Sequence, residues 1–580
     1  MAQFIADTLK HVPGVDPRMA QRAQAFQGLN DGPAETAARL TGIVQSQHAF
    51  DDSPLYTTNF GQPLHHSGYP LNVGGIPVQA DTALLEKQQA FDRSKIQERI
   101  VHPAGWAAFG EFVVTKDVTH LTKAKLFGSV GKKTPTFTRL STVTYGREYP
   151  DSARNPRGHA TKFYTEDGNY DLVGLNFPVF FVRDPFQGPD NIRSQQREPK
   201  SFLLNYNGWF DFLANVPESQ HAGLMLFSDH ATPVSHHFNA YGAHTFRWVN
   251  AEGKSTFIKY HWLLNEPIKN FNMNEATITC GEDPDFAKRD LYETIEKGGN
   301  VSWTMKVQTM TPEEATQVDF DPFDITKIWP RGQFPMQEVG VLTLNRNPED
   351  YHRDVEQAAF SPGSLVPGIE LSPDTLLQWR AFFYRDAQYT RLGSANIHQI
   401  PVNCPFMAKF VSPDNFMGTM RTDADSGSKP MYFPNSYHKN VPSTKSTPGF
   451  AGMDAVEAPY QVANNVVSRK SYWRDECTER EYTQVRELYL NRLSETERNN
   501  LHSNTARLLK FADDIVIEGY LAQQYAIHPG YATSINDLLP DNKKANMATV
   551  EEKSKTAHLV GKSEDFQPTD KGKSFMGMAY

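Results

Sequence analysis

A succession of short β-rich stretches separated by turn residues constrains this chain more than any other feature. EFVVT, FTRLSTVTY, FPVFFVR, AGLMLF and TFIKYHWLL fall between Phe109 and about Asn270, and VQTMT and VGVLTLN carry the series to about Asn345. Their spacing and turn punctuation predict an antiparallel sheet or barrel rather than repeated βαβ units. A different pattern follows in TQVRELYLNRLSETERNNLHSNTARLLKFADDIVIEGYLAQQYAIHPGY. There Leu488, Leu490, Leu493, Leu501, Leu508 and Leu509 give apolar helix faces, and a polar Ser/Glu turn parts two of the helices. The expectation is an α+β chain with five parts. Residues 1–75 form an N-terminal arm, 76–350 a β-barrel domain, 351–460 a wrapping segment with few periodic stretches, 461–540 a helical domain and 541–580 a loose, charged tail.

At 580 residues there is enough chain for one large core and a smaller one. The hydrophobic fraction of 39% and charged fraction of 22% are those of a folded protein. A formal charge of -9 provides no electrostatic footprint for nucleic acid or an anionic membrane. No apolar run approaches the roughly 18 residues of a membrane span, and MAQFIADTLKHV lacks a secretory apolar core. Cys280, Cys404 and Cys477 are too scattered for a zinc or iron–sulfur pattern, which points to a reducing compartment. The terminal Gly-Met-Ala-Tyr differs from the usual peroxisomal tripeptide, so the cytoplasm is expected and the peroxisome is the alternative.

Two residues invite a chemical reading. His102, in ERIVHPAGWAAFGEF, is one of 19 histidines, and a structural role is the ordinary one for such a residue. Tyr384, in LLQWRAFFYRD, resembles a core aromatic until Arg380 is noticed four residues earlier. On a helix the two share a face, and the guanidinium would favour a tyrosinate able to ligate ferric haem.

FDRSKIQERIVHPAG at 91–105 and RAFFYRDAQYTRLG at 380–393 resemble the active-site and haem-ligand signatures of the catalase family. GKKTPTFTRLSTV, NPRGHATKFYTEDGNYDLVG, FFVRDP, NAYGAHTF, DPFDITKIWP, LNRNP and VPGIELSPD resemble the family in the same order, over roughly residues 55 to 540. The resemblance implies a catalase-like antiparallel β-barrel, a haem b cofactor, hydrogen peroxide or another oxygen-derived oxidant as reactant, and a homotetramer. It implies His102 as distal acid–base with Ser141 beside it, Tyr384 as the iron ligand and Arg380 as its charge partner. Arg99, Arg139 and Arg391 match the arginines that hold the haem propionates. Val101 matches the residue that narrows the substrate channel, and Phe180 the aromatic over the distal face. The family also holds NADPH at a peripheral site. His221, Ser228, Asn239, His261, Trp329 and Gln484 fit that pattern in part, with Ile328 compatible. His230 and Leu263 stand where an arginine and a lysine are common, a loss of fixed positive charge.

The pattern breaks on the distal side. Leu175 occupies the place of the asparagine that works with the histidine, and leucine cannot donate to a peroxide. Gly188 replaces a channel phenylalanine, Trp106 and His159 alter neighbouring stretches, and Arg385 follows the tyrosine where proline is common. Clustered in this way, the changes lead to an expectation of a pocket reshaped for a small organic substrate. The resemblance then extends to the catalase-like tailoring enzymes of fungal secondary metabolism, such as the chanoclavine synthase of ergot alkaloid assembly, with little peroxide disproportionation. A true catalase, with Asn176 or Phe186 compensating, is the alternative reading. A haem-binding protein without activity is a third.

Overall fold

The computed structural model describes residues 81–408 and 478–561 throughout, parts of 56–78, and a few single positions between 418 and 436. Most of the expected arm, the end of the wrapping segment and residues 562–580 lie outside the described residues. The chain divides into two compact units, one of residues 1–99 and 388–441, the other of 100–387 and 442–580. In the first, Asp81 caps helix Thr82–Asp92 by accepting from the backbone N–H groups of Ala83 and Leu84.

The larger unit holds the barrel. Its strands are β1 (Gly105–Val114), β2 (Lys133–Ser141), β3 (Gly158–Thr165), β4 (Gly168–Leu175), β5 (Ala240–Tyr241), β6 (Phe246–Val249), β7 (Ser255–Leu264), β8 (Val301–Met310), β9 (Gln337–Arg346) and β10 (Ile369–Glu370). The hydrogen-bonded order is β8-β9-β1-β2-β3-β4-β5-β7, and β7 pairs again with β8. Eight antiparallel strands therefore close on themselves, which removes the exposed edges an open sheet would leave. Alternate residues point inward, so Trp106, Phe112, Leu140, Tyr170, Leu172, Tyr260, Trp262, Trp303 and Leu342 form one buried core. Each such fully buried apolar side chain contributes about 1.5–3 kcal/mol.

Helices α1 (Tyr206–Asn215), α2 (Gln220–Phe227), α3 (Phe286–Glu296), α4 (Thr375–Leu392), α5 (Glu495–Leu509), α6 (Asp514–Ile527), α7 (Pro529–Asp537) and α8 (Met547–Ser554) complete the fold. A second core joins Phe210 and Leu213 of α1 and Phe227 of α2 to Leu501, Leu509, Tyr520, Tyr531 and Val550. Ser494 and Glu497 make the reciprocal cap that starts α5.

Four sequence expectations need correction. AGLMLF lies in α2, where every residue is buried. An apolar run enclosed on all sides has no polar face to reveal its period. FPVFFVR follows β4 as irregular chain, its buried rings serving the helical core instead of a sheet. The segment after 350 contains the 18-residue helix α4, whose aromatic and arginine content hid the periodicity. Residues 541–561 are no loose tail, because Val550 and Ala557 are buried and Gln523 donates to the Ala557 carbonyl at 3.0 Å. Their Lys and Glu residues cover the outer side of that packing.

Candidate functional site

Five residues align across consecutive strands of the barrel wall. Gly105 lies opposite Ser141, Ser141 opposite Gly158, Gly158 opposite Leu175, and Leu175 opposite Tyr241. Cross-strand partners share a face, and this row is on the outer one, since its neighbours Trp106 and Leu140 fill the interior.

His102 sits just before β1 in the left-handed region, with φ +61. Such backbone strain costs about 1–3 kcal/mol and persists only where surrounding bonds impose it. Here the His102 N–H donates to the Val143 carbonyl at 2.7 Å, and Arg139 donates to the carbonyls of His102 and Pro103 at 2.9 and 3.1 Å. The result brings His102 Nδ1 to 2.9 Å from Ser141 Oγ. Gly158 makes this closeness feasible: a Cβ there would fall 2.5 Å from Ser141 Oγ and 2.6 Å from His102 Nδ1.

The second group is carried by α4. Arg380 donates to the Tyr384 hydroxyl and lies 4.8 Å from the centre of its ring. The same guanidinium nitrogen is 3.5 Å from the carbonyl of Val173, two residues before Leu175 on β4. Thus the helix bearing Tyr384 is drawn to the strand whose end faces Gly158. Asp374 starts the helix by accepting from the Leu377 N–H at 3.0 Å, and its other oxygen lies 2.7 Å from His244 Nδ1. Burial holds the His244 pKa below the ordinary imidazole value, although Asp374 opposes that shift. His244 and Asp374 were not singled out in the sequence. NAYGAHTF and VPGIELSPD contain them, but nothing in either stretch reveals that the two meet across 130 residues.

The distal substitutions separate once their directions are known. Asn176 does not stand in for Leu175: its side chain accepts from the Arg157 N–H at 2.7 Å and donates to the His230 carbonyl at 2.8 Å. Phe186 is 85% exposed and fills no gap at Gly188. That space belongs to Trp379, whose ring would be 2.6 Å from a Cβ at Gly188, so the expected extra apolar volume is taken up. Trp106 and His159 point into the barrel, away from the His102 row. His159 stands 5.0 Å from Trp303, and neither of its nitrogens has a hydrogen-bond partner among the described residues. Burial pushes its pKa down to about 3. Arg385 donates to Ser364 Oγ at 2.6 Å. The changes thus do not converge on one reshaped pocket: on the strands, period-two alternation turns Trp106 and His159 to the face opposite Leu175, while Gly188 and Arg385 lie on helices with partners of their own.

Val101 and Phe180 are half-buried, and the Phe180 N–H donates to the Ile325 carbonyl at 3.1 Å. Arg99 and Arg391 belong to the smaller unit. The six expected NADPH residues are largely engaged within the chain. Ser228 Oγ donates to the Met225 carbonyl, Asn239 accepts from the Leu264 N–H, and His261 meets Gln308 at 2.9 Å. Gln484 bonds both backbone groups of Ile328, and Trp329 is buried with its indole N–H on the Pro322 carbonyl. His221 is buried, with its pKa pushed down to about 3.

These residues fit a haem group. The Tyr384 phenol oxygen is a donor suited to ferric iron, and glycines at 105 and 158 keep the wall close and flat. Arg139 Nε is buried without a partner among the described residues, a donor left for a carboxylate.

Comparison with known proteins agrees with this geometry. The family model described as catalase matches residues 57–439, and one described as catalase-related immune-responsive matches 476–539. The chain is 44% identical over 468 residues to a catalase of Methanosarcina barkeri, covering 80% of this chain and 89% of that one. It is 41% identical over 502 residues to the catalase of Sus scrofa, covering 85% and 92%. A fungal catalase crystal structure superposes with a TM-score of 0.78 at 36% identity, over 84% of this chain and 97% of that one. Similarity of this breadth to catalases overturns the expectation of a secondary-metabolite oxidase or chanoclavine synthase, for which neither the relatives nor the pocket provides support. The eight-stranded barrel, the His102–Ser141 and Arg380–Tyr384 pairs and the length of the match place the chain in the catalase family of haem-dependent oxidoreductases.

Proposed function

We propose that the chain disproportionates hydrogen peroxide, converting two molecules to two of water and one of dioxygen. The observation that carries this reading is His102, held on strained backbone with Nδ1 on Ser141, on the barrel face whose strand β4 also meets Arg380. Haem, when bound, supplies the redox chemistry. His102 takes a proton from one peroxide oxygen and returns it to the other, the transfer that makes the O–O bond cleavable. Ser141 fixes the imidazole plane for that transfer. Tyr384, with Arg380 against its oxygen, provides the anionic ligand, and Arg139 holds a propionate. The sequence correspondence extends the propionate role to Arg99 and Arg391, the channel role to Val101 and the distal-face role to Phe180.

Oxygen release from peroxide by the haem-loaded protein tests the proposal. His102→Ala should lower turnover by about 10²-fold or more while haem stays bound. Leu175→Asn should raise turnover by roughly tenfold or more, because it adds a donor to the row facing Gly158. Turnover indifferent to His102 would defeat the reading.

The NADPH positions support less. With Asn239, Gln484 and the His261 Nε2 engaged within the chain and His230 and Leu263 lacking the family's charge, a nicotinamide fluorescence titration should detect no tight uptake. A homotetramer is proposed from the family, and light scattering measures it. A Toxoplasma gondii relative, 41% identical over 83% of this chain, is named a peroxisomal catalase, which supports the peroxisomal alternative to the cytoplasm. Among the described residues no helix is long and apolar enough to cross a membrane.

A further inference from the structure

Away from the His102 row, the turn before β5 presents two consecutive histidines side by side. His236 and His237 are both buried, with ring centres 4.2 Å apart and planes 25° from parallel. Behind each ring lies an oxygen, and at His237 it fixes the tautomer. His237 Nδ1 is 2.9 Å from the Val234 carbonyl, which can only accept, so the Nε2 lone pair faces outward. His236 Nδ1 is 3.1 Å from Asp290 Oδ2 and 3.4 Å from Ser235 Oγ. A carbonyl or carboxylate behind Nδ1 is the arrangement that orients imidazole toward a metal and raises its basicity.

Both Nε2 atoms turn toward Glu266. Its Oε2 lies 3.8 Å from His236 Nε2 and 3.6 Å from His237 Nε2. One donor atom from each of the three residues falls within 4.8 Å of the others, the single such grouping found among the described residues. Zinc bonds of about 2.0–2.2 Å separate tetrahedral ligands by roughly 3.3–3.5 Å; the Glu266 distances exceed this by a few tenths of an ångström, and the two imidazole nitrogens, within 4.8 Å of each other, must also draw together. The stacked rings set their Nε2 lone pairs nearly side by side, so one imidazole must also tilt toward an ion, and the Glu266 carboxylate attracts a cation to that edge. Lys269 Nζ, 3.4 Å from His237 Nε2, is the cation there, on an exposed residue able to swing away.

The backbone makes the site rigid. The Val234 N–H donates to the Lys269 carbonyl at 2.9 Å, and the Lys269 N–H to the His237 carbonyl at 3.2 Å. Ser235 is held at φ +52 and its hydroxyl donates to the Ala287 carbonyl at 3.1 Å, anchoring the turn to α3. Ligands on a preformed frame need little ordering when an ion arrives.

We propose that His236, His237 and Glu266 bind one zinc ion, displacing the Lys269 ammonium, with water at the fourth position. The ion clamps the turn before β5 to the chain leaving β7. The proposal is independent of the peroxide chemistry. It is tested on the haem-loaded, untagged full chain, cleared of metal with a chelator and equilibrated with zinc sulfate by dialysis, followed by metal analysis. One zinc per chain is expected at micromolar free zinc. Glu266→Ala should weaken binding by about tenfold or more, and Lys269→Ala should tighten it. Both residues are exposed, so these variants keep the fold, which a melting curve verifies. Failure of the parent protein to retain zinc, or equal affinity in Glu266→Ala, overturns the site. Unchanged affinity in Lys269→Ala overturns the displacement.

Discussion

At the scale of single residues, the distal side depends on what is missing at Gly158. A methyl group there would have to push His102 or Ser141 by about 1 Å to reach ordinary contact, and displacements of that size cost about 10²-fold in rate. Gly158→Ala should therefore bind haem like the parent but lose roughly that factor in peroxide turnover, as oxygen-electrode rates would record. His102 itself was legible because its stretch resembles a family signature. Its partner Arg139 was legible only as a propionate arginine. That its guanidinium also holds the carbonyls of His102 and Pro103, and so maintains the strained backbone, depends on β1 and β2 being paired.

At the scale of elements, α4 shows how packing alters the meaning of a substitution. Gly188 reads as a lost aromatic, yet Trp379 on α4 supplies an aromatic ring to the same place and is stacked on Phe383 at 4.7 Å. Gly188→Ala should cost about 1–3 kcal/mol because a stacked ring cannot yield. The loss should largely vanish in a Trp379→Ala background, which paired denaturant titrations would reveal as non-additivity. The start of the helix carries a second prediction. Asp374→Ala removes the acceptor for Leu377 N–H and the partner of His244 together, at roughly 1 kcal/mol for the cap and 1–3 kcal/mol for the orphaned imidazole. Lower stability together with a changed haem spectrum would locate the effect at the Tyr384 end of the site. A substitution that lowered stability alone would mark Asp374 as purely structural.

At the scale of the whole molecule, buried neutral histidines set the acid limit. His159, His221 and His261 are each pushed down to about 3 by burial, against an ordinary value of 6.5. Well above pH 6.5 neither folded nor unfolded chain protonates them, and they exert no pH dependence. Between 6.5 and about 3 the unfolded chain binds protons that the folded chain refuses, so stability falls with falling pH, by up to about 4 kcal/mol per pH unit. Melting temperature should level off about one unit above pH 6.5 and decline steadily below it; a flat profile through pH 5 would contradict the burial of these groups. His159→Phe should reduce the slope by up to about 1.4 kcal/mol per pH unit, the share of one proton.

The sequence by itself determined the local periods and the chemistry of its signatures: the β-rich barrel stretches, the Ser/Glu turn between two helices, and the His102 and Tyr384 positions. The periods depend on residues close together in the chain, where spacing fixes which side chains share a strand or helix face, and the roles of His102 and Tyr384 depend on the resemblance of their stretches to family signatures. Tertiary structure decided what spacing leaves open. It turned AGLMLF into a helix, sent Trp106 and His159 to the barrel interior, filled the gap at Gly188 with Trp379, and bound Asn176 to the backbone of Arg157 and His230. Each outcome depends on which distant element supplies the neighbour, and a buried group's role follows from that neighbour rather than from the residues beside it in sequence.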